Sequence, residues 1–224
     1  MRARSGRVSA RCAMPLLIFP CNGNGLEALD CLGDAWRCVG FIDDSPDKQG
    51  RSAFGFPVFP RAALEEMPEA KVLAIPGSPV SFGMRRRIIE GLGVAADRFA
   101  QVIHPSARIS PRAGVGRNVL IMAGVVMTSN AAVGSHVCLL PNTVVHHDAV
   151  IGEWTLIGSN VTIAGGARIG RGCYIGSGSS VMNDIRIGEG ALVGLGTNVI
   201  RDVPPKIRVA GNPARPLAMR SEAQ

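Results

Sequence analysis

From Ile103 the chain returns to an aliphatic residue or Met at every sixth position, without a break, as far as Val199. The series runs Ile103, Ile109, Val115, Ile121, Met127, Val133, Leu139, Val145, Ile151, Ile157, Ile163, Ile169, Ile175, Val181, Ile187, Val193, Val199. Four residues after each comes a partner that is usually small, as at Ala107, Ala113, Ala131, Thr143 and Ala149. Self-similarity at a fixed period marks a solenoid. A period of six matches neither a lone amphipathic helix nor the alternation of a hairpin series. It suits a triangular coil, with a short strand on each flat side, the large residue filling the axis, and Gly or a small residue relaxing each corner. Gly follows the aliphatic position at Gly116, Gly134, Gly152, Gly158, Gly170, Gly176, Gly188 and Gly194, and serves such corners whatever the protein does.

Composition agrees with an interior built from small and branched side chains, since aromatic residues make up 4% of the chain and Gly numbers 28. The net charge of +7 is no nucleic-acid signature, because Arg2, Arg4, Arg7 and Arg11 crowd the start. Of 24 basic residues, removing those four leaves 20 against 17 acidic ones, or +3. The opening stretch lacks the apolar core of a signal peptide and reads as a non-native extension ahead of Met14. No run of eighteen apolar residues is present to span a membrane. Cys12, Cys21, Cys31, Cys38, Cys138 and Cys173 form no C-x-x-C pair and no metal spacing, so they read as small buried hydrophobes in a reducing cytoplasm.

Between residues 16 and 101 strands alternate with helices. Leu16–Phe19, Cys38–Ile42 and Lys71–Ile75 read as buried strands, with helices expected from Leu26 to Leu32 and from Met84 to Leu92. That order implies a small parallel sheet with right-handed crossovers. The turn Asn22-Gly23-Asn24-Gly25 after the first strand is shorter than a full dinucleotide fingerprint, and an ordinary tight turn accounts for it equally well. Asp43-Asp44 closes the second strand, where a carboxylate can accept hydrogen bonds from a ribose or a base, and the two signals together favour a nucleotide.

The hexad register resembles the hexapeptide-repeat transferases, over about residues 103–203. With the β-α-β unit, Asp43-Asp44 and the join Ile103-His104-Pro105-Ser106-Ala107, the chain from about Leu16 resembles the sialic acid O-acetyltransferase and UDP-4-amino-sugar N-acetyltransferase family. The resemblance implies an N-terminal α/β Rossmann-like domain followed by a left-handed parallel β-helix with three hexads per coil. It divides the chain into an extension at 1–13, a nucleotide- or sugar-binding domain at 14–101, the acyltransferase β-helix at 102–204 and a tail at 205–224. It also implies a cytoplasmic homotrimer in surface glycan biosynthesis, with acetyl-CoA as co-substrate between neighbouring helices and a sugar nucleotide as acceptor. Nucleic acid, membrane and metal are not expected as partners.

Acyl transfer from a thioester needs a base for the nucleophile's proton and a donor for the oxyanion. Of the four histidines, His104 belongs to the join, and His136 is expected to be solvated on a corner. His147 differs in being followed by Asp148, since a carboxylate can hold an imidazole in one tautomer. Matching the family position by position puts the base on His147 with Asp148 as its orienting carboxylate, and turns His146 to the opposite side. One coil on, the match brings Gly165 beside the imidazole and the pantetheine arm, where the thioester can approach. Further CoA contacts implied by the resemblance are Leu156, Ser177, Gly196, Pro213 and Arg215, the last two in the tail motif Gly211-Asn212-Pro213-Ala214-Arg215. Substrate contacts are expected at Gly23, Asn24, Asp43, Asp44 and Gly77. Asn24 and Leu140 depart from the family's frequent His and Asn, Leu156 from a His that contacts acetyl-CoA in some members, and the segment Ile75–Gly83 is longer than the usual turn. All but Leu156 fall on the expected sugar or nucleotide side.

Other readings stand beside N-acetylation. O-acetylation of a sialic-acid-like sugar is the near variant, and a scaffold that only binds a nucleotide is another. A zinc lyase of the γ-carbonic anhydrase type needs three converging imidazoles, and His136, His146 and His147 show no His-x4-His pair.

Overall fold

The computed structural model describes residues 13–217. The expected extension at 1–13 and Cys12 therefore lie almost wholly outside the described residues, as does the end of the tail. The N-terminal unit is a five-stranded sheet in the order β3-β4-β2-β1-β5, with β1 at Met14–Phe19, β2 at Trp36–Ile42, β3 at Ser52–Ala53, β4 at Phe56–Phe59 and β5 at Lys71–Ala74. All pairings are parallel except the β3–β4 hairpin at the edge. Leu16, Leu17 and Ile18 are fully buried on alternate sides, as a strand covered on both faces must be.

Two short elements differ from the sequence expectation. The helix at Leu26–Leu32 is instead α1 at Gly23–Glu27 followed by a 3-10 turn at Ala28–Cys31, because the Asn22 side chain caps the earlier start by accepting from Gly25 N–H. The β3–β4 hairpin adds to the expected elements, and its turn uses two left-handed residues, Phe54 (φ 51°) and Gly55 (φ 83°). The second expected helix, which follows α2 at Ala63–Glu66 and is therefore α3, spans Arg85–Glu90.

From Gln101 the chain winds through two- and three-residue strands that fall in rotation onto three parallel sheets. The first face carries Gln101–Ile103, Val119–Ile121, Cys138–Leu139, Leu156–Ile157, Tyr174–Ile175 and Leu192–Val193. The second begins at Arg108–Ile109 and continues through Val126–Met127 and Val144–Val145, and the third begins at Gly114–Val115. As far as Val199 each strand pairs with the one 18 residues away, as Val126 with Val144 and Val144 with Thr162. Hexad residues from Ile121 to Val199 fill the axis together with their small partners, all in one core. Complete burial of one such aliphatic side chain contributes roughly 1.5–3 kcal/mol. Polar members of the partner column are satisfied inside: Thr143 Oγ1 donates to Gly158 O at 2.7 Å and Ser179 Oγ to Gly194 O at 2.9 Å.

The glycines after each hexad residue do not supply corner flexibility, as expected from the sequence, but close approach. A Cβ at Gly134 would lie 2.8 Å from Glu153 N, and one at Gly152 only 2.7 Å from Gly170 C, on the next coil. The left-handed corner positions belong largely to other residues, among them Asn130, His136, Asn142, Asp148, Trp154 and Asp184.

The two units share a core. Leu120, Cys138 and Leu156, from the outer side of the first face, pack with Leu16, Ile18, Phe41 and Leu73 of the sheet. Arg85 of α3, fully buried, locks the joint by donating to three carbonyls: Pro76, Trp154 and His136. Burial lowers its pKa to about 10, so it remains a cation at neutral pH. Asn118 accepts from Ala74 N–H and donates to Ala74 O, as an added strand residue would.

His136 is accordingly not the solvated residue expected from the sequence. Its ring stacks on Trp154 at 3.8 Å, meets Phe99 edge-on, and accepts at Nδ1 from the Asn118 amide. Burial, with Arg85 adding to it, pushes its pKa down to about 4. The α/β unit docked on that corner leaves the ring half-buried, at the edge of an open cavity of about 530 Å³ that it lines with Phe99, Arg117 and Glu153.

Candidate active site

The corner between the second and third faces stacks equivalent residues of successive coils. Asn130, Asp148, Gly166 and Asp184 form its left-handed column, each with φ between 60° and 70°. His147 precedes Asp148 in this turn and points outward, its side chain 62% exposed. Its Nδ1 lies 2.9 Å from Asp148 Oδ2. A carboxylate oxygen can only accept, so Nδ1 carries the proton and Nε2 presents a lone pair. Hydrogen bonds from His147 first, and then from Asn130 at 3.1 Å, hold the Asp148 carboxyl below the usual carboxylate range. The imidazole lies close against Gly165 of the next coil, where a Cβ would stand 2.6 Å from both Cε1 and Nε2. His147, Asp148 and Gly165 are thus brought together. The corner can accept a proton at Nε2 from a nucleophile arriving from outside the coil.

A second cluster forms where the α/β unit meets the first face. Asn24, Gly77, Leu140 and Leu156 line one cavity of about 180 Å³ with Ser78, Pro79, Gly158 and Tyr174. No lining residue carries a charge. Gly77, at φ 121°, is required there because a Cβ would meet Arg85 Cγ at 2.9 Å and Leu156 Cδ1 at 3.1 Å. Tyr174 adds to the expected contacts, and its signal in the sequence is its place 18 residues after Leu156 on the same column.

The remaining expected contacts are dispersed. Ser177 and Gly196 occupy the corner between the first and second faces, Ser177 Oγ accepting from Ser159 N–H at 3.0 Å and Gly196 left open to solvent. Arg215 lines a cavity of about 280 Å³ near the C-terminal end with Ile200, Asp202 and Ile207, and Pro213 lies half-buried close by in sequence. Gly23 opens α1, with nothing near the place of its missing side chain.

Asp43 is buried with its carboxylate engaged from within the fold. Oδ2 accepts from Cys21 N–H at 3.0 Å and Lys48 Nζ at 2.9 Å, and Oδ1 from Ser45 N–H at 2.9 Å. Burial disfavours its charge, yet the Ser45 and Lys48 hydrogen bonds prevail and hold it below the usual carboxylate range. Asp44 is half-exposed and forks with Arg61 at 2.5 and 2.6 Å.

The five described cysteines are free and buried. Burial raises Cys138 to about 12 and Cys31, Cys38 and Cys173 to about 11, which keeps these four protonated. Among the described residues no three His, Cys, Asp or Glu side chains converge as a metal site would require, and no helix is long and apolar enough to cross a membrane.

The sequence family described as bacterial transferase hexapeptide (six repeats) matches residues 130–165, which include His147, Asp148 and Gly165. The acetyltransferase domain of PglB from Neisseria gonorrhoeae, solved in complex with acetyl coenzyme A, is similar at 29% identity and a TM-score of 0.80, over 92% of this chain and 100% of that one. PerB from Caulobacter crescentus, solved with CoA and GDP-perosamine, has the same fold at 24% identity and a TM-score of 0.80, over 93% of this chain and 99% of that one. WeeI from Acinetobacter baumannii also shares it, at 24% identity and a TM-score of 0.77, over 92% of this chain and 100% of that one. No curated protein sequence matches the chain.

Proposed function

The chain belongs to the hexapeptide-repeat transferases, and on that premise we propose that it moves an acetyl group from acetyl-CoA to the amine of an amino sugar nucleotide. The observation that carries this reading is the outward imidazole of His147, oriented by Asp148 and seated on Gly165. The sugar amine attacks the thioester carbonyl carbon, and a C–N bond forms as His147 Nε2 takes a proton from the nitrogen. The tetrahedral intermediate then expels the CoA sulfur, which receives that proton, and the amide is left on the sugar. Asp148 steadies the imidazolium while it exists.

In this reading the domains run 14–101 and 102–204, the first Rossmann-like and the second a left-handed β-helix. The base corner and the Ser177/Gly196 corner lie on opposite edges of the second face, so one copy alone does not bring them together. A homotrimer closes the site, with acetyl-CoA between neighbouring coils against Gly165, Ser177, Gly196, Pro213 and Arg215, whereas Leu156, buried beside Gly77, lies on the acceptor side and not on the expected CoA side. The acceptor enters along Gly23, Asn24 and Gly77. Asp44 offers a nucleotide contact where Arg61 can be displaced, and Asp43 shapes the turn from within.

The uncharged lining of the Asn24–Leu156 cavity favours a neutral hexose over a sialic acid, whose carboxylate would ask for a cation. Thiol release from acetyl-CoA against UDP-, GDP- and dTDP-linked 4-amino sugars and sialic acids tests the reading. Turnover with an amino sugar nucleotide is expected, and turnover with sialic acid alone would replace it.

A further inference from the structure

The Asp148 carboxylate has a side chain beneath it, as Asn160 has Asn142 and His136 has Asn118, whereas two other corner side chains have none. Asn142 and Asp184 also stand in left-handed corner positions, each above a glycine one coil earlier, Gly124 and Gly166. In both cases the upper side chain drops Oδ1 into the space that a Cβ on that glycine would need. Below Asp148 stands Asn130, whose Cβ fills that space and whose Nδ2 donates to Asp148 Oδ1 at 3.1 Å. Oδ1 is thereby held over Asn130, and Oδ2 faces His147 Nδ1 at 2.9 Å.

We propose that Asn130 is a positioning residue for acyl transfer: it stops the Asp148 carboxylate from folding down along the corner column and so keeps it on the imidazole. This rests on His147 being the base. The chain of contacts crosses three coils, from Asn130 through Asp148 and His147 to Gly165, with Asn183 Nδ2 reaching Gly165 O at 3.4 Å from the next. The charged and titratable groups along this corner are Asp148 beside the ring, Arg112 one coil below Asn130, Asp184 over Gly166 and Arg201 and Asp202 one coil beyond it, with His146 next to His147 in the chain. Glycine suits the left-handed backbone of residue 130 (φ 62°), and Asp is among the residues that tolerate it, so both variants remain compatible with the fold.

In the full-length protein, Asn130→Gly is expected to lower kcat about tenfold, the smaller end of what loss of a partner behind a working imidazole costs. The KM of acetyl-CoA should hold. The acid limb of the rate profile should move to lower pH in Asn130→Gly, as the carboxylate leaves the ring, and to higher pH in Asn130→Asp, as a second negative charge is added. In an Asp148→Asn background, Asn130→Gly should change kcat less than about twofold, because its route to the ring is already cut. Equal losses in both backgrounds, or acid limbs that do not part, would make Asn130 a merely structural corner residue and overturn the proposal. If His147→Ala stays active, the base assignment and this proposal fall together; if it is dead while Asn130→Gly matches wild type, only this proposal falls.

Discussion

His136 and His147 sit in the same repeat, each within a corner turn, yet their surroundings are opposite. His136 is half-buried between Trp154 and Phe99, its Nδ1 taken by Asn118 and its pKa pushed down to about 4. His147 faces outward with a carboxylate on Nδ1 and Nε2 free among the described residues. The repeat supplies both corners alike, and what packs on each decides its use. The α/β unit covers one and turns its histidine into part of a joint, while the other stays open to solvent.

Deleting each imidazole gives the sharpest break in that comparison. His147→Ala should lower kcat by about 10² to 10⁴, the usual contribution of a positioned general base, with the acetyl-CoA KM little changed in steady-state assays. His136→Ala should leave kcat within a few-fold of wild type and lower the melting temperature instead. The reverse pattern would exchange the two roles.

Arg85 tests the joint without touching the His147 corner. Replacing it with Leu leaves three carbonyls without their donor, at about 1–3 kcal/mol for each buried group left unpaired. Chemical denaturation should therefore show a loss of about 3 kcal/mol or more, and an unchanged midpoint would deny Arg85 its locking role.

A milder change is Asp148→Asn, which keeps a group at the same place but removes the charge. It should cost roughly 10- to 100-fold in kcat, less than loss of the base, because orientation is disturbed and the base remains. A loss equal to that of His147→Ala would mean that Asp148 does more than orient.

The smallest effect concerns pH. The folded protein holds His136 near 4, while the unfolded chain titrates it near 6.5. Between those values the unfolded state binds the extra proton, so stability falls as pH falls. The contribution is complete above about 6.5 and is lost on the way down to 4. Melting curves across that window should be flatter for His136→Phe, and an identical slope would place the cause in another group.

Much of the coil can be read directly from spacing. A residue's inward or outward place follows from the hexad, so the axis residues, and His147 beside Asp148, are legible in the sequence. The column Leu120, Cys138, Leu156, Tyr174, Leu192 is legible in principle, since it repeats every 18 residues. It becomes a docking face only once three hexads are known to make one coil. Arg85, Arg86 and Arg87 are indistinguishable in the sequence, and burial singles out the first because Gly77 leaves room for its stem.

The sequence by itself determined the period, the axis residues and the adjacency of imidazole and carboxylate, because these depend on local spacing and side-chain size. Tertiary structure alone decided which histidine stacks on Trp154, that Asp43 turns inward to Cys21 and Lys48, and that Asn130 donates to Asp148. Those outcomes turn on which oxygen or ring face meets a neighbour a coil or a domain away. A periodic pattern carries the height of a residue along the axis, but not the rotamer it adopts once another surface arrives.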